Sequence, residues 1–301
     1  MRCIDLTVII PTYNRKEILK ANLASILKHD CGFELLVIDD ASTDGTEDVV
    51  KSFGDTRITY YKHDHRCGYA RSMNEGIAYA RNSWVLLLED DALISNPDAF
   101  FDILLREKDG KQIVATHLLL KGREVKPTLL ERLERFFAEP LAKEIYPYNG
   151  DKRRIVRFCN ACCSFNKEEI GSRFDESGYF GNAFRIESDF QIRARKEGAT
   201  IIYNPKLVIN HERHSTGGHR VHDKSIFLYQ CMVNHVIFLK KHYSICNICC
   251  YGLLKLFAHP GKMQVVMKAI RESFQLWAVA NGLHFKAGNY EGSPEFQKVF
   301  K

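Results

Sequence analysis

The sequence predicts an α/β fold, a mostly parallel sheet flanked by helices, with a helical C-terminal extension. Three observations lead there. Short apolar, β-branched runs alternate with stretches whose apolar residues recur at helical spacing; turn-forming and acidic residues gather directly after those runs; and from Ser225 the periodicity is helical almost to the end. At 301 residues, 45% hydrophobic and 27% charged, the chain can bury a full core, which excludes a disordered polymer.

The elements follow in order. Leu6 to Ile10 is an apolar strand closed by Pro11, and Lys16 to Lys28 sets Ile18, Leu19, Leu23, Ile26 and Leu27 at helical spacing. Phe33 to Ile38 repeats the strand, Asp39 to Gly45 supplies turn residues, and Thr46 to Phe53 returns to helical periodicity through Val49 and Val50. Ile58 to Tyr61 is a third strand, Tyr69 to Asn82 a third helix, and Trp84 to Leu88 a fourth strand. Asn96 and Pro97 fit the N-cap and first position of a helix over Asp98 to Arg106. Ile113 to Leu120 reads as a strand, Glu131 to Glu144 as a surface helix, and Glu187 to Glu197, closed by Gly198, as a helix. Two short strands follow, Thr200 to Tyr203 and Leu207 to Ile209. A His/Gly-rich loop after His211 separates a domain over residues 1–215 from a helical region over 216–301.

Alternation of strand and helix implies right-handed crossovers, so the polar clusters after each strand converge on one rim. These clusters are Pro11 to Asn14, Asp39 to Asp44 and Glu89 to Asp91. In an open α/β sheet the crevice beyond the strand ends is where ligands bind. The acidic triplet Glu89, Asp90, Asp91 is the most informative of the three, because unpaired buried charge costs several kcal/mol and a strand end holds adjacent carboxylates only where something compensates them. A divalent cation bridging carboxylates and phosphates does so; a solvated acidic turn is the plainer alternative.

Composition narrows the partners. The net charge of +6 is spread over Lys152, Arg153 and Arg154, over Arg193, Arg195 and Lys196, and over Lys240 and Lys241, which suits anionic small molecules or an anionic lipid surface and excludes a nucleic-acid stripe. Asp5 interrupts the first apolar stretch and no small-residue cleavage site follows, so no secretory signal is expected and the chain is placed in the cytoplasm. Ile245 to Ala258, broken by Asn247 and Lys255, is too short to span a bilayer and reads as a core helix or one lying on a membrane surface. Lys240, Lys241 and His242 beside apolar residues suggest peripheral contact with the inner face of the membrane, with a homo-oligomer face or plain core as alternatives. Ten cysteines in such a compartment imply reduced thiols; the pairs Cys159/Cys162 and Cys246/Cys249 also permit zinc.

Taken together and in order, the motifs Val8-Ile9-Ile10-Pro11-Thr12-Tyr13-Asn14-Arg15, Val37-Ile38-Asp39-Asp40-Ala41-Ser42-Thr43-Asp44-Gly45-Thr46 and Leu87-Leu88-Glu89-Asp90-Asp91 resemble family 2 glycosyltransferases of the GT-A fold, a Rossmann-like architecture. The resemblance continues through Gly68 to Gly76, Phe174-Asp175-Glu176, Glu187-Ser188-Asp189-Phe190 and Pro205 to His211, and it fades after about residue 218. It implies a nucleotide-sugar donor, UDP-, GDP- or dTDP-linked, held by Pro11, Thr12, Tyr13, Arg15, Asp40, Arg71 and Asp90. A carboxylate such as Asp40 can accept from a ring N–H, and Tyr13 offers a flat face to a base. Ser42 and Asp44 are read as helix caps whatever the function, and Arg71, taken alone, as a solvated helix cation.

The resemblance also assigns the chemistry. Asp91 would coordinate Mn2+ or Mg2+, with Asp90 toward ribose or an outer water, although Glu89 departs from the usual pattern of the motif. His211 would be a second metal ligand, tilting the preference toward Mn2+, or else a structural histidine. An acceptor hydroxyl needs a base, and Glu187, with Asp189 as support or substitute, is the candidate; both acids also suit the first turn of a helix. One base without a second carboxylate nucleophile implies inversion. The stretch His214 to Arg220 reads as a lid or a linker, and the spaced histidines through His222 also permit zinc. The expected activity is transfer of a sugar to a growing polysaccharide or lipid-linked glycan. A nucleotidyltransferase or an inactive GT-A-like binding subunit is the alternative; a dinucleotide enzyme is excluded, because Pro11 to Arg15 stands where a Gly-x-Gly-x-x-Gly turn would be.

Overall fold

The computed structural model describes residues 2–29, 31–124, 151–179, 181, 183–212, 223–243, 248, 264–265 and 267–271. The expected helix over Glu131 to Glu144, the stretch from His214 through His222, Cys246, Cys249 and nearly all of Ile245 to Ala258 lie outside those residues. The chain divides into two compact units that interleave along the sequence. Met1–Pro127, Glu144–Phe174 and Phe190–Gly218 form the first; Thr128–Lys143, Asp175–Asp189 and His219–Lys301 form the second.

All ten strands among the described residues belong to one sheet of the first unit. They are β1 (Arg2–Thr12), β2 (Cys31–Asp39), β3 (Ile58–Lys62), β4 (Trp84–Leu87), β5 (Ala92–Ile94), β6 (Gln112–Leu120), β7 (Arg123–Glu124), β8 (Arg154–Val156), β9 (Cys163–Asn166) and β10 (Thr200–His211). The order is β3-β2-β1-β4-β9-β6-β10-β5, with β7 on β6 and β8 on β10. β3, β2, β1 and β4 are mutually parallel, as the alternation with helices requires. β9 then runs antiparallel between β4 and β6, while β6 and β10 are again parallel. The two short strands expected over 200–209 are one strand. Its register shifts between Tyr203 and Val208, and that irregularity accommodates Pro205, which has no N–H to give a ladder.

Helices α1 (Lys16–Ile26), α2 (Thr46–Ser52), α3 (Tyr69–Tyr79) and α4 (Pro97–Arg106) fill the crossovers. Leu6, Val8 and Ile10 of β1 point to one face, where Leu19, Leu23 and Ile26 of α1 and Phe100, Phe101 and Leu104 of α4 complete the core. Ile9 points to the other, against α3. There Gly76 permits the close approach, since a Cβ at that position would collide with Ile9 Cγ2 and press on Ile38. Asn96 caps α4 by accepting from Ala99 N at 3.2 Å, with Pro97 at the first helical position.

Helix α5 (Ile186–Lys196) starts in the second unit and ends in the first. In the second unit, α6 (Lys224–His242) is capped by Asp223, whose carboxylate accepts from Ser225 N at 2.6 Å and Ile226 N at 3.0 Å. No helix among the described residues is long and apolar enough to cross a membrane.

Candidate functional site

The parallel strands end on one rim, and two polar clusters occupy it. The first lies where β1 and β4 finish and the end of β10 arrives. Antiparallel pairing sets His211 opposite Ala92, and Glu212 N donates to Asp91 O at 3.0 Å, so residues 120 apart in sequence are locked side by side. His211 Nε2 lies 2.9 Å from Asp91 Oδ1 and 3.7 Å from Glu89 Oε2. One ligand atom each from Glu89, Asp91 and His211 falls within 4.8 Å of the others, a spacing that suits a single cation. Two carboxylates and one imidazole match a hard to borderline divalent ion such as Mn2+.

Asp90 faces the other way. Its Oδ1 meets Arg15 Nη1 at 2.7 Å and its Oδ2 accepts from Thr12 Oγ1 at 3.0 Å. Arg15 Nη1 also stands 3.5 Å from Asp91 Oδ2. Burial pushes the Asp90 carboxyl up to about 6; Arg15 pulls against this and neighbouring Asp91 adds to it. Burial likewise opposes the charge on Arg15, but Asp90 and Asp91 more than offset it, so the guanidinium stays protonated. The loop carrying these acids is pinned from below by Asn22 of α1. Its amide donates to the carbonyls of Glu89, Asp90 and Ala92 at 3.0, 3.0 and 3.2 Å.

The second cluster sits where β2 and β3 end. Asp39 is fully buried and accepts from Ser42 N at 2.8 Å and Tyr60 Oη at 2.5 Å. Asp40, 2% exposed, accepts from Cys67 N at 2.6 Å and Gly68 N at 2.9 Å, just ahead of α3, and its Oδ1 is 3.0 Å from His63 Nδ1. His63 Nε2 in turn lies 2.8 Å from Glu75. Burial lowers the His63 pKa, yet the bonds to Asp40 and Glu75 outweigh it and hold the imidazole above its usual range. Arg66 stacks its guanidinium 4.3 Å from the Tyr13 ring centroid, covering the face that the sequence offers to a base. Arg71 bonds Glu75 at 2.8 Å, one helical turn along.

Local backbone strain marks both strand ends. Asn14 (φ 50) and Ala41 (φ 66) adopt left-handed conformations without being glycine. Asn14 is compensated by its side chain, which accepts from Thr43 N, while its own N–H donates to Ser42 Oγ, both at 2.8 Å. Ser42 therefore ties the two strand ends together rather than capping α2. Asp44 serves both helices: its Oδ2 accepts from Lys16 N at the start of α1 and its Oδ1 from Thr46 N at the start of α2.

In the second unit, Asp189 is fully buried and accepts from Lys241 Nζ at 3.0 Å, with His242 Nε2 at 2.8 Å. Lys241 also binds Asp175. Glu187, two residues earlier, is only half-buried. Arg185 (φ 77) and Ala183 (φ 51) hold the turn before α5 in a left-handed conformation, and Arg185 Nε donates to His235 Nδ1 at 2.9 Å.

The structure thus gathers Thr12, Arg15, Asp90, Asp91 and His211 into one cluster and Tyr13 and Asp40 into the other. Sequence reasoning missed Asn22, His63, Arg66 and Glu75. Asn22 had a readable signal, a polar residue on the apolar stripe of α1; the others lie on a loop and a helix face where their types are unremarkable. Of the two cysteine pairs, Cys159 is half-buried against Gln191 and Cys162 is fully buried.

The family described as "Glycosyl transferase family 2" matches residues 7–170, more than half of the chain. A β-1,3-glucosyltransferase of Escherichia coli, WfgD, named for UDP-Glc and α-D-GlcNAc-diphosphoundecaprenol, is 35% identical over 92 residues, which are 30% of this chain and 36% of that protein. The minor teichoic acid biosynthesis protein GgaB of Bacillus subtilis is 25% identical over 240 residues, 70% of this chain and 25% of the relative. The matches therefore span about a third or less of these curated relatives. Among solved structures, the mannosyltransferase PcManGT of Pyrobaculum calidifontis, in complex with GDP-Man and Mn2+, shares the fold with a TM-score of 0.56 at 19% identity, covering 98% of this chain and 78% of that one.

Proposed function

Because the chain belongs to glycosyl transferase family 2, we propose that it transfers a sugar, with inversion and with a divalent cation, from a nucleoside-diphosphate sugar to an acceptor hydroxyl. The convergence of Glu89, Asp91 and His211 from two strand ends carries this reading. These three would hold Mn2+ or Mg2+, which supplies positive charge against a departing diphosphate. Arg15 balances the acids beside them and orients Asp90, and Thr12 fixes the second Asp90 oxygen, so the carboxylates are set before a donor arrives. Tyr13 and Arg66, stacked on each other, would frame the base. Glu187 is the proposed base that takes the acceptor proton; Asp189, enclosed by Lys241 and His242, is better placed to position its surroundings. An acceptor on a lipid carrier or a cell-wall polymer, as named for the E. coli and B. subtilis relatives, is the proposed class.

Asp91→Asn tests the metal role. The parent should gain thermal stability with Mn2+ and a panel of nucleotide sugars together, and the variant should lose that gain and its transfer activity while keeping its circular dichroism spectrum. Substantial turnover in the variant would overturn the assignment.

A further inference from the structure

Of the buried side chains of α1, Leu19, Leu23 and Ile26 are aliphatic and Asn22, fully enclosed beside them, is not. Its Nδ2 faces three acceptors, the carbonyls of Glu89, Asp90 and Ala92, which settles the end of the amide that carries nitrogen. Its own Oδ1 is buried with no hydrogen-bond partner among the described residues. A buried acceptor without a donor is destabilising, and a leucine here would simply continue the apolar stripe. Packing therefore does not account for an asparagine at this position. Its bonds to the acidic turn do.

That turn is closed by Ala92 N, which donates to Glu89 O at 3.1 Å. Within it the acids diverge: Asp90 goes to Arg15 and Thr12, and Asp91 to His211. The carbonyls of Glu89 and Asp90 belong to the two peptide planes that flank Asp90, and the second plane carries the nitrogen of Asp91. Holding both planes sets the direction in which each Cβ leaves the backbone. A lysine could donate to the same carbonyls, but its charge would stand beneath three carboxylates and compete with a divalent ion. A neutral amide fixes the backbone and leaves the field of Glu89 and Asp91 to the cation.

We propose that Asn22 is a positioning residue of the cation site. Through three backbone carbonyls it holds Glu89 and Asp91 at the spacing from His211 that one divalent ion requires. The inference rests on the reading of Glu89, Asp91 and His211 as metal ligands.

Mn2+ titration of the full chain, with free Mn2+ counted by electron paramagnetic resonance, tests it without donor, acceptor or turnover. Asn22→Leu keeps the branch at Cγ and removes the donor, and it should weaken Mn2+ binding roughly 10–100-fold. Asn22→Ser retains one donor and should fall between that variant and the parent; it decides alone if Asn22→Leu does not fold. Gly76→Ala loosens the packing of α3 on the opposite face of the sheet and should leave Mn2+ affinity unchanged, which separates lost stability from lost position. Parent-like affinity in the Asn22 variants, or an equal loss in Gly76→Ala, would overturn the inference. A parent that binds no Mn2+, or an Asp91→Asn variant that binds it as tightly as the parent, would overturn the metal reading itself and the role of Asn22 with it.

Discussion

Arg15 is the group on which the metal-free acidic rim most depends, and Arg15→Met isolates its contribution. The side chains of Arg15, Asp90 and Asp91 are 6%, 5% and 1% exposed, so the ion pair at 2.7 Å is buried. Removing one partner of a buried pair costs about 3–5 kcal/mol when the remaining charge has no escape. Asp90 has one, since its carboxyl is already pushed up to about 6 with Arg15 present and rises further without it. Below pH 6 both parent and variant hold the Asp90 proton when folded, and the loss should be small. Above pH 6 the folded parent releases that proton while the folded variant retains it, and the unfolded chains, with a carboxyl near 3.8, have lost it in both cases. The variant therefore loses roughly 1.4 kcal/mol of stability relative to the parent for each pH unit above 6, until the ceiling of about 3–5 kcal/mol is reached. Urea unfolding followed by far-ultraviolet circular dichroism at pH 5.5, 7 and 8.5, with chelator present, measures the difference. A deficit that is the same at all three pH values, or none at pH 8.5, would refute the coupling of Asp90 to Arg15.

Four further substitutions probe the packing, the ion pairs and the proposed base. Gly76→Ala drives a methyl into Ile9 and Ile38 between α3 and the sheet, and it should destabilise the chain by about 1–3 kcal/mol in the same unfolding assay. Lys241→Met strips a cation from Asp189, which keeps His242, and from Asp175, so about 3 kcal/mol should be lost at neutral pH. Burial raises the Asp175 carboxyl but its bond to Lys241 lowers it further, so this stabilisation exists above the ordinary 3.8 and fades as pH falls below it; the deficit of the variant should shrink in acid. Glu187→Gln should slow transfer by roughly two to four decades with donor binding intact, and Asp189→Asn should chiefly lower stability. The reverse pattern would move the base to Asp189.

The sequence by itself determined the parallel strands β1 to β4 and the helices that alternate with them, because periodicity and capping are local; the short strands β5, β7, β8 and β9 were not among the elements it predicted, and β10 read as two strands. The run Leu6 to Ile10 could only be a buried strand, Asn96 and Pro97 could only open a helix, and the placement of three polar clusters after three parallel strands put them on a common rim. It also singled out Asp91 and His211, which the fold brings to 2.9 Å. What the tertiary structure decided was who partners whom. That Arg15 reaches Asp90, that Arg66 lies on Tyr13, that His63 stands between Asp40 and Glu75, and that Asp189 is sealed by Lys241 and His242 all depend on strand register and loop path across separations of up to 75 residues. A register of one residue either way would turn each side chain to the opposite face, and no local pattern records that choice.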